Sequence, residues 1–285
     1  MIAHKGVALG NDYLVVDATE LPWPLTPARC AAICDRHCGL GSDGILVADL
    51  RSGISLRILN PDGSEAEKSG NGLRIFAAWL HGKGLVRNDW FEIKLVKDTV
   101  RARVDGVTSA GLDIHVEMGT AKFEGAAVNF LPESGMVIDY TLTLPGGGEA
   151  VINTVSLSNP HCVVFVDSLD RADFLERAPK LCTHSGFANG TNVQFARVAG
   201  PSELELWIWE RGAGETLASG SSACAATAAA VHKGLLQPGN ILARMQGGNA
   251  EIGITEGFAV TLRGPARIVY RAEVPVGQLA AWSAL

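Results

Sequence analysis

The sequence has no apolar run long enough to cross a bilayer. Its longest, Ala223 to Val231, is rich in alanine and falls far short of the roughly 20 residues a spanning helix needs. The segment from Met1 to Asp12 lacks the apolar stretch of a secretory signal, so a cytoplasmic, reducing location is expected. Charge is scarce as well. Only 19% of the 285 residues are charged, and the formal balance is -6. Without a basic surplus, nucleic acid is not an expected partner. With 47% hydrophobic residues, wholesale disorder is excluded too. Six cysteines occur in a chain large enough to bury a core without disulfide staples.

What the chain has in excess is glycine, 33 residues, about 12% against a usual level of roughly 7%. No collagen-like period accompanies it, so these glycines mark turns and close backbone approaches. Cys30, Cys34 and Cys38 are spaced for one face of a helix and are expected in the core as small hydrophobes. His37 points away from that face and completes no metal site.

Strands are expected at Tyr13 to Asp17, Gly44 to Ala48, Ser55 to Leu59, Trp90 to Leu95, Val163 to Asp167, Asn192 to Val198 and Glu203 to Trp209. Each is short, branched or aromatic, and bounded by turn formers. Helices are expected at Thr26 to Arg36, Asn71 to Lys83, Leu169 to Leu181 and Ser221 to Lys233. Strands outnumber helices without alternating strictly with them, which argues an α+β fold with much antiparallel pairing.

The strongest organisational signal is an internal repeat. An offset of 150 carries Glu65 to Gly70 onto Glu215 to Gly220, and Lys83-Gly84-Leu85 onto Lys233-Gly234-Leu235. An offset of 148 carries Leu9-Gly10-Asn11 onto Leu157-Ser158-Asn159. Two copies of one domain are expected, residues 1–120 and 121–268, with the tail (269–285) returning to the first. Each copy carries a Ser-Gly turn that opens a long helix, at Ser69-Gly70 and Ser219-Gly220. Backbone N–H groups at such a start, with the helix dipole, suit an anion such as an α-carboxylate. Both serines also fit plain helix capping.

Taken together, the motifs Leu9-Gly10-Asn11-Asp12, Gly41-Ser42-Asp43-Gly44, Asn60-Pro61-Asp62-Gly63-Ser64-Glu65, Ser69-Gly70-Asn71-Gly72-Leu73-Arg74, Ser158-Asn159-Pro160-His161-Cys162, Gly190-Thr191-Asn192 and Glu210 to Thr216 resemble the diaminopimelate epimerase family. The resemblance implies two pseudo-symmetric domains, each a barrel-like mixed sheet around a central helix. It implies an isomerase of lysine biosynthesis that needs neither pyridoxal phosphate nor any other cofactor or metal, working on a substrate held between the domains. Carried over by motif, the substrate-binding residues are Asn11, Asn60, Gly70, Asn71, Asn159, Asn192, Glu210, Arg211, Gly220 and Ser221, and the catalytic ones are Ser69, Ser219, His161 and Glu210. Expected partners are a small amino acid bearing an α-carboxylate and a second copy in a homodimer; a membrane is not among them.

One departure bears on mechanism. The family uses two cysteines as acid and base on opposite sides of the substrate α-carbon, and serines stand at both positions here. A thiol, with a pKa near 8.5, becomes a thiolate at a helix N-terminus. An alcohol does not, and it acts when a neighbouring base takes its proton; His161 and Glu210 are candidates for that part. Three readings follow: a divergent enzyme in which the serines still move a proton or a single base drives an isomerisation or dehydration, a catalytically silent amino-acid-binding relative, and a laboratory substitution that traps substrate. Val7, at the place of a family histidine, argues for natural divergence over the last. Cys162 and Cys224 lie close to the two motifs, but Cys224, five residues beyond Ser219, is expected to face the core.

Overall fold

A computed structural model describes every residue from Met1 to Leu285. The chain divides into two compact units, one formed by Met1–Glu117 with Gly264–Leu285 and the other by Met118–Arg263.

In the first unit the elements are β1 (Ile2–Ala8), β2 (Asn11–Asp17), α1 (Pro27–Cys34), β3 (Ile45–Asp49), β4 (Ser55–Leu59), β5 (Glu65–Ala66), α2 (Gly70–Gly82), β6 (Phe91–Lys94), β7 (Thr99–Thr108) and β8 (Gly111–Thr120). Strand β2 runs antiparallel to β1 and parallel to β3, with Leu14 opposite Ile45. β3 pairs antiparallel with β4, β4 parallel with β6, and β6, β7 and β8 form a meander.

The second unit contains β9 (Tyr140–Thr143), β10 (Glu149–Ser156), β11 (Pro160–Phe165), α3 (Arg171–Cys182), β12 (Asn192–Gly200), β13 (Glu203–Glu210), β14 (Gly214–Thr216), α4 (Gly220–His232), β15 (Gly239–Met245), β16 (Gly248–Ile254) and the first part of β17 (Ala259–Glu273). It repeats the same scheme. β11 is antiparallel to β10 and parallel to β12, with His161 opposite Asn192. β12 pairs antiparallel with β13, β13 parallel with β15, and β15, β16 and β17 form a meander. The second part of β17 returns to the first unit beside β1, where Gly6 faces Ile268, and α5 (Val276–Ser283) packs Trp282 against the apolar face of α1.

Each unit wraps its sheet around one helix. Along α2 every residue from Gly70 to Leu80 is buried, and along α4 every residue from Gly220 to Val231. A helix apolar all round suits such a core position. The strands lying between a central helix and an outer one lose their alternation: β2 is buried from Asp12 to Val16, because α2 covers one face and the α1 cluster the other. The two-domain α+β architecture read from the sequence is the one observed. α1 is shorter than expected. It stops at Cys34, so only Cys30 and Cys34 enter the core, and Cys38 sits exposed in the following turn. All six cysteines are free thiols, and five of them are buried. No helix is long and apolar enough to cross a membrane.

Candidate active site

In the first unit the site residues gather at the start of α2 and the turn before β2. Ser69 is the N-cap of α2, and its Oγ accepts the Gly72 N–H at 3.1 Å. The N–H groups of Gly70 and Asn71 precede the helix's own hydrogen-bond ladder. Arg74, buried one turn further on, donates through Nη2 to Asn71 Oδ1, through Nε to the Gly70 carbonyl at 3.3 Å and through Nη1 to the Pro265 carbonyl at 3.3 Å. Tyr13, buried on β2, brings its phenolic oxygen to 3.4 Å from Ser69 Oγ.

Asn11 follows a turn in which Leu9 and Gly10 both take left-handed backbone conformations, φ 53° and 84°. Its Nδ2 donates to Asp43 Oδ2 at 2.7 Å, and the Asp12 N–H donates to the same oxygen at 3.0 Å. Asp43 is in turn held by Arg36, which also pairs with Asp12, as does Lys5. Burial opposes charge on Asp12, but Arg36 and Lys5 overcome it and hold its carboxyl below the usual carboxylate range. Burial and the neighbouring Asp12 push Asp43 up. Asn60 closes the turn after β4, donating from Nδ2 to Ser64 Oγ at 2.9 Å. Its hydrogen bonds stay within that turn, to Ser64 and Gly63.

In the second unit the corresponding residues form one buried network. Ser158 takes φ 78° ahead of Asn159, a costly conformation for a residue with a side chain. Asn159 Oδ1 lies 3.0 Å from His161 Nε2, and Asn159 Nδ2 donates to Ser221 Oγ at 3.5 Å. His161 Nδ1 lies 3.2 Å from Gln194 Nε2, which also donates to Ser222 Oγ at 3.0 Å. An amide N–H pointing at Nδ1 makes that nitrogen the acceptor, so His161 carries its proton on Nε2 and donates it to Asn159; this tautomer follows from the amide orientation assigned to Gln194. Ser219 occupies the N-cap position of α4 but makes no side-chain capping bond, and its Oγ lies 3.5 Å from Ser221 Oγ. The two serines are therefore not equivalent.

A second group gathers at the start of β12. Asn192 Nδ2 donates to the Pro160 carbonyl at 2.9 Å, and its Oδ1 accepts the Arg211 N–H at 3.0 Å. Arg211 is exposed and donates from Nη1 to the Asn189 carbonyl at 3.0 Å. Gly190, at φ 67°, leaves room for it: a Cβ there would sit 2.8 Å from the Cys182 carbonyl oxygen and 3.4 Å from Arg211 Cδ. Arg211 and Gly190 also line a surface recess with Cys182, His184, Phe187 and Asn189. Glu210, half-buried, ends β13.

His161 is fully buried, and burial holds its pKa down to about 3, with Gln194 raising it and the Arg211 charge lowering it further. The neutral imidazole is a weak base there, and its two nitrogens face Asn159 and Gln194. Cys162 is likewise no thiolate source, since burial pushes its thiol far up. A stability prediction follows. The folded pKa of His161 lies below the unfolded value near 6.5, so its contribution is complete above about pH 6.5 and is lost as pH falls, by about 1.4 kcal/mol per pH unit. The stability advantage of the wild type over His161→Gln should shrink by about 2–3 kcal/mol between about pH 6.5 and pH 4.5, measured by urea unfolding. An unchanged difference would mean that the imidazole titrates normally.

Sequence reading missed Tyr13, Asp43, Gln194 and Ser222 as members of these clusters. Tyr13 and Gln194 could have been found from position, since each stands two residues after a motif asparagine, Asn11 and Asn192. Asp43 lay inside a motif already noted.

The diaminopimelate epimerase family model matches residues 3–124 and 153–269. Diaminopimelate epimerase 2 of Nostoc sp. is 41% identical over 262 residues, spanning 91% of this chain and 90% of that one. The diaminopimelate epimerase of Pelotomaculum thermopropionicum is 36% identical over 275 residues, 95% and 98% of the two chains. Among solved structures, a hydroxyproline epimerase from Agrobacterium vitis with trans-4-hydroxy-L-proline bound superposes with a TM-score of 0.73 at 14% identity, covering 97% of this chain and 92% of that one. A PhzF-family phenazine biosynthesis protein from Bacillus anthracis superposes at 0.67 and 17% identity, covering 97% and 99%. At those identities the structural likeness concerns the fold. The family match spans both units and the start of each central helix, and the chain belongs to the diaminopimelate epimerase family.

Proposed function

We propose that this chain isomerises an amino acid at its α-carbon, with diaminopimelate as the first substrate to test, and that Ser69 and Ser219 serve the two faces of that carbon. The observation that carries the reading is the duplication itself. Two units of one topology each bury a helix whose N-cap is a serine followed by glycine, within a chain 41% identical to a named diaminopimelate epimerase. The N–H groups of Gly70, Asn71, Gly220 and Ser221 bind the α-carboxylate, where the helix dipoles favour negative charge. The same positive helix ends and N–H donors also stabilise the carbanion formed when the α-proton leaves, because its electron pair delocalises into the bound carboxylate. Arg211 offers a planar fork for a distal carboxylate. Asn11, Asn60, Asn159 and Asn192 present amides to the substrate's polar groups, Glu210 lies beside the ammonium, and His161 fixes Asn159. A cytoplasmic location and a homodimer belong to the same proposal.

A second reading, a one-base isomerisation, is favoured by the inequality of the two serines: Ser69 is capped and Ser219 is not. The test is incubation with diaminopimelate and a panel of amino acids, followed by chiral chromatography. Inversion at the α-carbon is expected for at least one substrate. Tight binding with no inversion of any would overturn the two-faced reading.

A further inference from the structure

The two-faced reading leaves Ser69 and Ser219 with a problem of acidity, and the first unit contains a group that answers it on one side. Tyr13 Oη lies 3.4 Å from Ser69 Oγ. That is longer than a formed O–H···O bond, but it is the kind of distance that tightens once substrate is bound. The phenol is held there by its surroundings. Tyr13 is only 7% exposed, and Gly44 makes room for the ring, since a Cβ at Gly44 would come within 2.8 Å of Tyr13 Cε1.

Its place is not accidental to the fold. The 148-residue offset that carries Asn11 onto Asn159 also carries Tyr13 onto His161. Both residues sit on the strand that runs parallel to the next, β2 beside β3 and β11 beside β12. So each unit puts a ring bearing an exchangeable proton at the same topological position, one a phenol and the other a neutral imidazole.

We propose that Tyr13 is the proton partner of Ser69, so that the first unit's acid–base device is a Ser69–Tyr13 pair. The inference rests on the isomerase reading above. Ser69 Oγ accepts the Gly72 N–H with one lone pair, which leaves its hydroxyl proton and its second lone pair for chemistry. With Tyr13 ionised to phenolate, the step balances as follows. The substrate Cα–H bond breaks and its proton forms a new bond to Ser69 Oγ. The original Ser69 O–H bond breaks at the same time, and that proton passes to the phenolate oxygen. The electron pair stays on the α-carbon. In the reverse direction the phenol returns a proton through Ser69 to the carbanion. The working base then has the strength of a phenol, with an ordinary pKa near 10, rather than that of an alcohol, and lies within about two units of a thiol. Because Tyr13 acts through Ser69, it is a positioning residue, and the serine remains the group that meets substrate.

The test follows each face of the substrate separately. Diaminopimelate deuterated at the reacting α-carbon is prepared in both configurations at that carbon. Loss of deuterium to water is timed for wild type, Tyr13→Phe, Ser69→Ala and Ser219→Ala. Tyr13→Phe should slow release from the configuration that Ser69→Ala also slows, by at least about tenfold, and leave the other configuration within about twofold. Ser219→Ala should give the opposite pattern. Incorporating 3-fluorotyrosine at position 13 should restore the release that phenylalanine removes. Equal slowing of both configurations would mark Tyr13 as merely structural, and no slowing of either would remove it from the site. A wild type that releases no deuterium from either configuration while binding the compound overturns the isomerase reading, and this inference with it.

Discussion

Replacing both serines by cysteine, Ser69→Cys with Ser219→Cys, should raise diaminopimelate epimerisation by about a thousandfold. The size comes from general acid–base catalysis, which contributes about 10²–10⁴ when the acting groups titrate near the working pH. A thiol starts near 8.5, and a helix N-terminus lowers it further; Ser69 and Ser219 both stand at such a terminus. The two new thiols would need no relay through Tyr13. The single variants should show much smaller gains, because turnover in either direction uses an acid on one face and a base on the other. A folded double variant that stays as slow as the wild type would show that the site has diverged beyond its two end groups, into the asparagines and Arg211.

The second large effect concerns stability. Arg74→Met should cost about 3 kcal/mol in urea unfolding, which is the scale for removing one side of a buried charged hydrogen-bond set. Arg74 is fully buried yet carries five donors, and it directs three of them at Asn71 Oδ1 and at the carbonyls of Gly70 and Pro265. Methionine fills a similar volume but takes the donor away from those acceptors while they stay buried. Arg74→Lys should rescue little, because a single ammonium cannot reach acceptors in three directions with the geometry of a planar fork. The same contacts order the first turn of α2, so weaker carboxylate binding should accompany the loss of stability. A cost below about 1 kcal/mol would mean that the acceptors Arg74 leaves behind find other donors.

The repeat was the most legible part of the fold. The offset that places Ser69 on Ser219 anticipates two helices starting alike, and α2 and α4 do start alike, one residue earlier than expected. Doubly covered strands were also easy to see, because β2, β3 and β11 read as unbroken apolar runs. Among the strands that escaped notice were β1, β7, β8, β15 and β16. Each has one face toward its central helix and one toward solvent, and β7 alternates Val100, Ala102 and Val104 inward with Arg101 and Arg103 outward. Alanine and glycine at inward positions diluted that period-two signal. At the site, residue types were legible and states were not. Nothing in the order of residues announces that His161 is fully buried and held neutral, because its burial is produced by β12 and α4, far away in sequence. The inequality of Ser69 and Ser219 was hidden for the same reason: it depends on Gly72, Tyr13 and Ser221 as neighbours in space.

The central claim is proton transfer at an amino-acid α-carbon through two serine-capped helix starts, and solvent exchange tests it most directly. The wild-type chain is incubated in deuterated water with diaminopimelate, and α-deuterium is followed by mass spectrometry alongside Ser69→Ala and Ser219→Ala. The account predicts incorporation by the wild type, with Ser69→Ala and Ser219→Ala each strongly reducing it for a different configuration at the α-carbon. Incorporation that survives both substitutions unchanged, or its absence from the wild type while diaminopimelate binds, would contradict the account.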